Sequence, residues 1–200
     1  MEHLLDVRDL NITYLNKSRN VQAVRHANFT IDKGDSLGLV GESGSGKSTM
    51  AMGMLRILPQ DSIQMTGSAL FMGKDLVTIS DEEMNKLRWK EIAVVFQKAM
   101  NSLSPVHRIG MQIEDIYHVH EPKATKKEIH DRTMELLKLV NMPERVYKLY
   151  PHEMSGGMLQ RVAIVISLLH NPKLLVFDEA TTALDVVTQG QILEEVIQME

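Results

Sequence analysis

Cysteine is absent from the 200 residues. That excludes a disulfide framework, a thiolate metal site and a cysteine nucleophile within them, and it suits a reducing compartment. Long apolar runs are missing too. The longest strongly apolar stretch, residues 162–169, falls far short of the ~20 residues that cross a bilayer as a helix. The first residues, Met1-Glu2-His3-Leu4-Leu5-Asp6, lack the basic region and apolar run of a signal peptide. Any membrane role is therefore expected to be peripheral. There is no excess of positive charge: the net charge is −4, with Lys and Arg spread along the chain. This argues against a nucleic-acid partner. Aromatic residues make up only 4%, whereas there are 14 methionines, expected to fill irregular gaps in a core. At 44% hydrophobic and 24% charged, the chain suits one globular domain with room for an inserted subdomain.

The chain is organised around Gly41-Glu42-Ser43-Gly44-Ser45-Gly46-Lys47-Ser48-Thr49, which fits G-x-x-x-x-G-K-[ST], a phosphate-binding loop. Glycines let successive backbone N–H groups turn inward and approach a polyphosphate closely. Lys47 places a point charge among the terminal phosphates, and the Ser48 hydroxyl is suited to ligate Mg²⁺. A helix starting here aims its positive end at the anion. Residues 36–40 before the loop are predicted to be a short buried strand. Residues 50–58 after it are predicted to be a helix stopped by Pro59.

Residues 3–14 and 21–31 are rich in β-branched and apolar types and are separated by a polar segment. They are predicted to be antiparallel strands. Tyr14 ends the first. It could stack on a nucleotide base, but position alone favours a half-buried strand tyrosine. Residues 63–73 are predicted to hold another strand. Ser80-Asp81-Glu82-Glu83 fits a capping box and a short helix. Residues 91–96 read as a central strand, with Gln97 at the end where parallel sheets bind ligands; a solvated loop amide is equally open. Residues 98–125 read as loop with one or two short helices. Thr125-Lys126-Lys127-Glu128 opens a clearer helix with Ile129, Thr133, Leu136, Leu137 and Val140 on one face. Ser155-Gly156-Gly157 leads into an apolar helix and offers a second anion-binding N-terminus, or a plain helix cap. Leu174-Leu175-Val176-Phe177 is a buried strand that delivers Asp178 and Glu179 at its C-terminal end. In a phosphate-loop protein the first acid suits Mg²⁺ and the second suits a general base for an attacking water. A last helix is expected near residues 192–197.

The phosphate loop, Gln97, Ser155-Gly156-Gly157 and Asp178-Glu179 occur in that order, with a helical insertion before the third. This combination resembles the ATP-binding subunit of ABC transporters. Ser155-Gly156-Gly157 looks like the signature motif of that family, and Thr182-Ala183-Leu184-Asp185 looks like its D-loop. Residues 96–105 and 109–113, together with Tyr150-Pro151-His152-Glu153-Met154, are similar to the oligopeptide, dipeptide and nickel importer group. Ala180 stands where a proline is usual, Glu153 where a glutamine is common, and Leu159 where an arginine is common. None of these removes a group needed for phosphate chemistry. The switch histidine of the family follows one more core strand, and the sequence stops at Glu200 before reaching it. The chain is therefore expected to be C-terminally truncated.

The resemblance implies an α/β fold: a P-loop NTPase (RecA-like) core with an N-terminal antiparallel β subdomain and an inserted helical subdomain. The expected divisions are residues 1–97, nucleotide-binding core and β subdomain; 98–160, helical subdomain; and 161–200, return to the core. The implied cofactors are ATP and Mg²⁺. Tyr14 would stack on adenine and residues 41–49 would cradle the phosphates. Ser48, Gln97 and Asp178 would serve Mg²⁺. Glu179 would be the general base, with Gln97 and Lys47 completing the catalytic set. Ser155, Gly156 and Gly157 would act on nucleotide held by a second ATP-binding subunit, identical or related, and Asp185 of the D-loop would complete the nucleotide-binding set. Further implied partners are membrane permease subunits and, indirectly, an extracytoplasmic substrate-binding protein. The expected place is the cytoplasmic face of the cell membrane. Two other classes stay open: a soluble ABC ATPase, and a fragment that binds nucleotide without hydrolysing it efficiently.

Overall fold

A strand with one buried face needs apolar residues at every second position. In the first strand those residues change parity: Leu5 and Val7 are buried, and then Leu10 and Ile12. Both pairs can face one core only if one residue is absorbed between them. The computed structural model, which describes residues 3–96 and 103–178, has a β-bulge at that point. The register of β1 (Leu5–Tyr14) slips against β2 (Val21–Ile31) between Val7 and Leu10, and against β3 (Ile63–Phe71) between Arg8 and Asn11. Asp9 takes a left-handed φ of 46°, opposite Gly67 at φ 90°. A Cβ on Gly67 would lie closer than 3.0 Å to the Asp9 carbonyl oxygen. Side chains replace the lost ladder bonds. Asn28 Oδ1 accepts from Asp9 N at 2.9 Å, and Asn11 Nδ2 donates to Asp9 O at 2.7 Å.

The chain divides into two compact units, Met1–Arg88 and Trp89–Glu200. In the first, the antiparallel sheet has the order β2-β1-β3-β4, with β4 the short pair Lys74–Asp75. The expected strands at 3–14, 21–31 and 63–73 are present. Helix α1 spans Lys47–Met54. It ends before the predicted stop at Pro59 because Arg56 turns left-handed, φ 51°. Arg56 N then bonds Gly53 O at 2.8 Å and Ile57 N bonds Met52 O at 2.9 Å, a Schellman ending. Helix α2 (Asp81–Leu87) starts at Ser80, whose hydroxyl accepts from Glu83 N.

Residues 36–40 differ from expectation. They form no strand, and Leu37, Leu39 and Val40 are 44%, 42% and 98% exposed. An apolar run becomes a strand only where another strand completes its ladder, and among the described residues of this unit no strand pairs with it.

The second unit pairs β5 (Ile92–Val95) in parallel with β6 (Leu174–Phe177), Val95 opposite Phe177. Around them pack α3 (Ile109–His120), α4 (Lys126–Leu139) and α5 (Gly156–Leu168). The predicted face of α4, Ile129, Thr133, Leu136, Leu137 and Val140, is fully buried, and Thr125 and Glu128 close the capping box. Arg132 caps the C-terminus of α5, its guanidinium donating to Leu168 O at 3.1 Å. Helix α3 is a full helix where short pieces were expected. Gly110 reads as a breaker in sequence, but its bare Cα admits the Tyr147 ring, where a Cβ would lie closer than 3.0 Å. Gln112 on α3 clamps the preceding loop: its amide accepts from Ser104 N at 2.7 Å and donates to His107 O at 2.9 Å. Among the described residues no helix is long and apolar enough to cross a membrane.

Two stability predictions follow. A methyl at residue 67 must push against the Asp9 carbonyl at a positive φ. Gly67→Ala is expected to cost about 2 kcal/mol, read as a lower urea midpoint. His170, after α5, lies 4.6 Å from the Tyr117 ring and 5.2 Å from the His120 ring. Burial, then the charge of His120, lowers its pKa below the ordinary 6.5, with Lys90 and Arg132 adding to the effect and Glu121 opposing it. The unfolded chain then takes up this proton before the folded one. Stability is expected to fall as pH drops below 6.5, and His170→Gln should flatten that part of the denaturation profile.

Candidate functional site

The phosphate loop is shaped mainly by its backbone, with Lys47 as its charged side chain. Ser45 N bonds Glu42 O at 3.2 Å and tightens the turn. Gly44 and Gly46 take φ of 81° and 98°, left-handed values that favour glycine. Gly46 is the N-cap of α1 and carries no side-chain cap, and no acidic residue occupies the first turn. The first bond back into the helix runs from Met50 N to Gly46 O at 2.8 Å. The amides of Lys47, Ser48 and Thr49 therefore belong to the open positive end of the helix. Lys47 folds back so that Nζ donates to Gly41 O at 2.8 Å and Glu42 O at 2.9 Å. This holds its charge against the loop. Gly41, Glu42, Ser43, Gly44, Ser45 and Ser48 are exposed, while Gly46, Lys47 and Thr49 are half-buried.

The loop is seated on the antiparallel sheet. A Cβ on Gly46 would lie closer than 3.0 Å to the Ala23 carbonyl oxygen of β2. Tyr14, half-buried at the end of β1, brings its hydroxyl within 3.2 Å of Thr49 Oγ1. Sequence reasoning noted Tyr14 and Thr49 separately and did not pair them; 35 residues separate them.

The other predicted residues fall in the second unit. Ser155 caps α5, its hydroxyl accepting from Met158 N at 3.3 Å, and Gly156 and Gly157 form the first turn. Asp178 directly follows β6, and its N–H extends the ladder to Val95 O at 3.0 Å. It therefore sits at the C-terminal end of a parallel strand, where such sheets bind ligands. Gln97, Glu179 and Asp185 lie outside the described residues. One residue went unnoticed. Gln160, buried on α5, donates from Nε2 to Phe96 O at 3.4 Å, tying the helix after Ser155 to the residue before Gln97. The available signal was an amide among the mostly apolar positions of that helix.

The sequence profile described as "ABC transporter" matches residues 24–182. The chain belongs to the ABC transporter family. It is 48% identical to the oligopeptide transport ATP-binding protein OppD of Bacillus subtilis, over 96% of this chain and 54% of that protein. The OppD protein of Escherichia coli is 43% identical over 95% of this chain and 57% of its own length. The chain thus spans little more than half the length of these curated relatives. A solved dimeric ATP-binding cassette in a post-hydrolysis state, bound to ADP and Pi, matches with a TM-score of 0.83. It is 29% identical, over 95% of this chain and 80% of that one. The fold is the α/β P-loop NTPase fold of such cassettes.

The loop offers a nucleotide polyphosphate an uncapped helix N-terminus and the Lys47 ammonium, and a Cβ at Gly46, the cap residue, would strike Ala23. Gly46→Ala is therefore expected to lower affinity for Mg-ATP at least about tenfold, measured by equilibrium dialysis. Gly38, where a Cβ meets nothing within 4 Å, is the control: Gly38→Ala should bind as the parent does.

Proposed function

We propose that this chain is the ATP-binding and ATP-hydrolysing part of an ABC importer for oligopeptides or dipeptides. The observation that carries the reading is the phosphate loop itself, with Gly44 and Gly46 left-handed and Lys47 held over the turn. The importer group is supported by relatives at 42–48% identity whose names are oligopeptide or peptide transport ATP-binding proteins.

In this reading the amides of residues 41–49 and the Lys47 ammonium bind the β- and γ-phosphates, and Tyr14 offers its ring face to adenine. Ser48, Gln97 and Asp178 hold Mg²⁺, which when bound supplies positive charge against the phosphate oxygens. Glu179 orients and deprotonates the attacking water. Ser155, Gly156 and Gly157 turn a second helix N-terminus toward the γ-phosphate held by a partner subunit, and Asp185 lies in the same interface. ATP then favours the closed dimer because only that state contacts it from both sides. The permease is proposed to dock near residues 98–120. Val106 and Met111, 73% and 51% exposed, offer apolar contact there, and the Gln112 clamp stiffens the loop that carries Val106. The subunit would thereby work peripherally at the cytoplasmic face, with a substrate-binding protein delivering the peptide from the other side.

The test is the solution mass of Glu179→Gln with and without Mg-ATP. Removing the base should trap ATP and double the mass. A variant that binds ATP yet stays monomeric, alone and with related subunits added, would refute the dimeric part of the proposal.

A further inference from the structure

Helix α1 meets the antiparallel sheet along one line. Gly46, Thr49 and Gly53 follow the i, i+3, i+7 pattern of a single helix face. At one end Gly46 touches the Ala23 carbonyl of β2. At the other, Gly53 abuts Ile12 of β1 so closely that a Cβ there would fall within 3.0 Å of the isoleucine side chain. Between these two glycine contacts, Thr49 Oγ1 meets the hydroxyl of Tyr14 at 3.2 Å. Tyr14 itself cannot drift: it pairs with Val21 of β2 on one side and Ile63 of β3 on the other.

The ring of Tyr14 already has a proposed task, stacking on the base. The hydroxyl points elsewhere. We infer that the Tyr14 hydroxyl is a positioning group for phosphate recognition. It holds Thr49, and through Thr49 the first turn of α1, at the angle that aims the amides of Lys47, Ser48 and Thr49 at the anion. This rests on the phosphate-loop reading above. The physical need is clear. Gly44 and Gly46 leave the loop side of that turn conformationally permissive. As first-turn amides of a helix, Lys47 and Thr49 N–H lie ahead of the first i→i−4 bond, which runs from Met50 N to Gly46 O. A hydroxyl bond from a residue locked in two strand ladders adds a directional restraint between the Gly46 and Gly53 contacts.

The consequence separates the hydroxyl from the ring. Tyr14 should matter to a ligand that has no base at all. The probe is Mg²⁺-tripolyphosphate, titrated calorimetrically into the full chain beside Mg-ATP. Tyr14→Phe keeps the ring and removes the hydroxyl. It is expected to weaken both ligands by the same factor, about three- to tenfold, as for loss of one hydrogen bond. Tyr14→Phe added to Thr49→Val should cost nothing further, because the partner is already gone. Thermal midpoints measured in parallel confirm that each variant is folded. If Tyr14→Phe binds tripolyphosphate as tightly as the parent, or weakens it equally in the Thr49→Val background, the positioning role is overturned while the phosphate-loop reading stands. If the parent chain binds neither ligand, both are overturned.

Discussion

The contact of Gly46 with the Ala23 carbonyl is the constraint on which the phosphate loop depends. Only a residue without a Cβ reaches that carbonyl, and only a residue tolerant of φ 98° turns the chain from loop to helix there. With Gly46 seated, the rest follows. Lys47 returns over Gly41 and Glu42, the first-turn amides open outward, and Thr49 comes under the Tyr14 hydroxyl. The antiparallel sheet is thus the bed of helix α1. The bulge at Asp9 and Gly67 matters for the same reason. It shifts β1 from odd to even parity, so that Leu10, Ile12 and Tyr14 share the side that meets α1. A straight β1 would turn Tyr14 away.

The second unit places its groups by a different means. Its two parallel strands are fully laddered, and their C-terminal ends present Phe96 and Asp178. The helix after Ser155 is tied to one of these ends by Gln160. Its own end is capped by Arg132 from α4. A side-chain amide and a guanidinium here donate to backbone carbonyls at element ends, Gln160 to Phe96 O and Arg132 to Leu168 O. The loop carrying Val106 is stiffened in the same manner by Gln112.

The sequence by itself determined whatever is local. The phosphate-loop pattern, the Thr125 capping box, the Ser80 and Ser155 caps, the buried face of α4 and the strands β1, β2, β3, β5 and β6 are each set by residue type and spacing within a few positions, which is the range over which caps and periodicity act. Tertiary structure decided what needs a distant partner. Residues 36–40 have the composition of a strand, but composition does not supply a neighbouring ladder. Gly110 is a helix breaker by propensity, yet it lies within α3 because the Tyr147 ring needs the space. Arg56 ends α1 ahead of Pro59 through a left-handed turn, while its guanidinium reaches Ile79 O and Asp81. The pairing of Tyr14 with Thr49 joins residues that no short-range pattern relates. It exists because a bulge, two strand ladders and two bare glycines bring a strand end and a helix start to within one hydrogen bond.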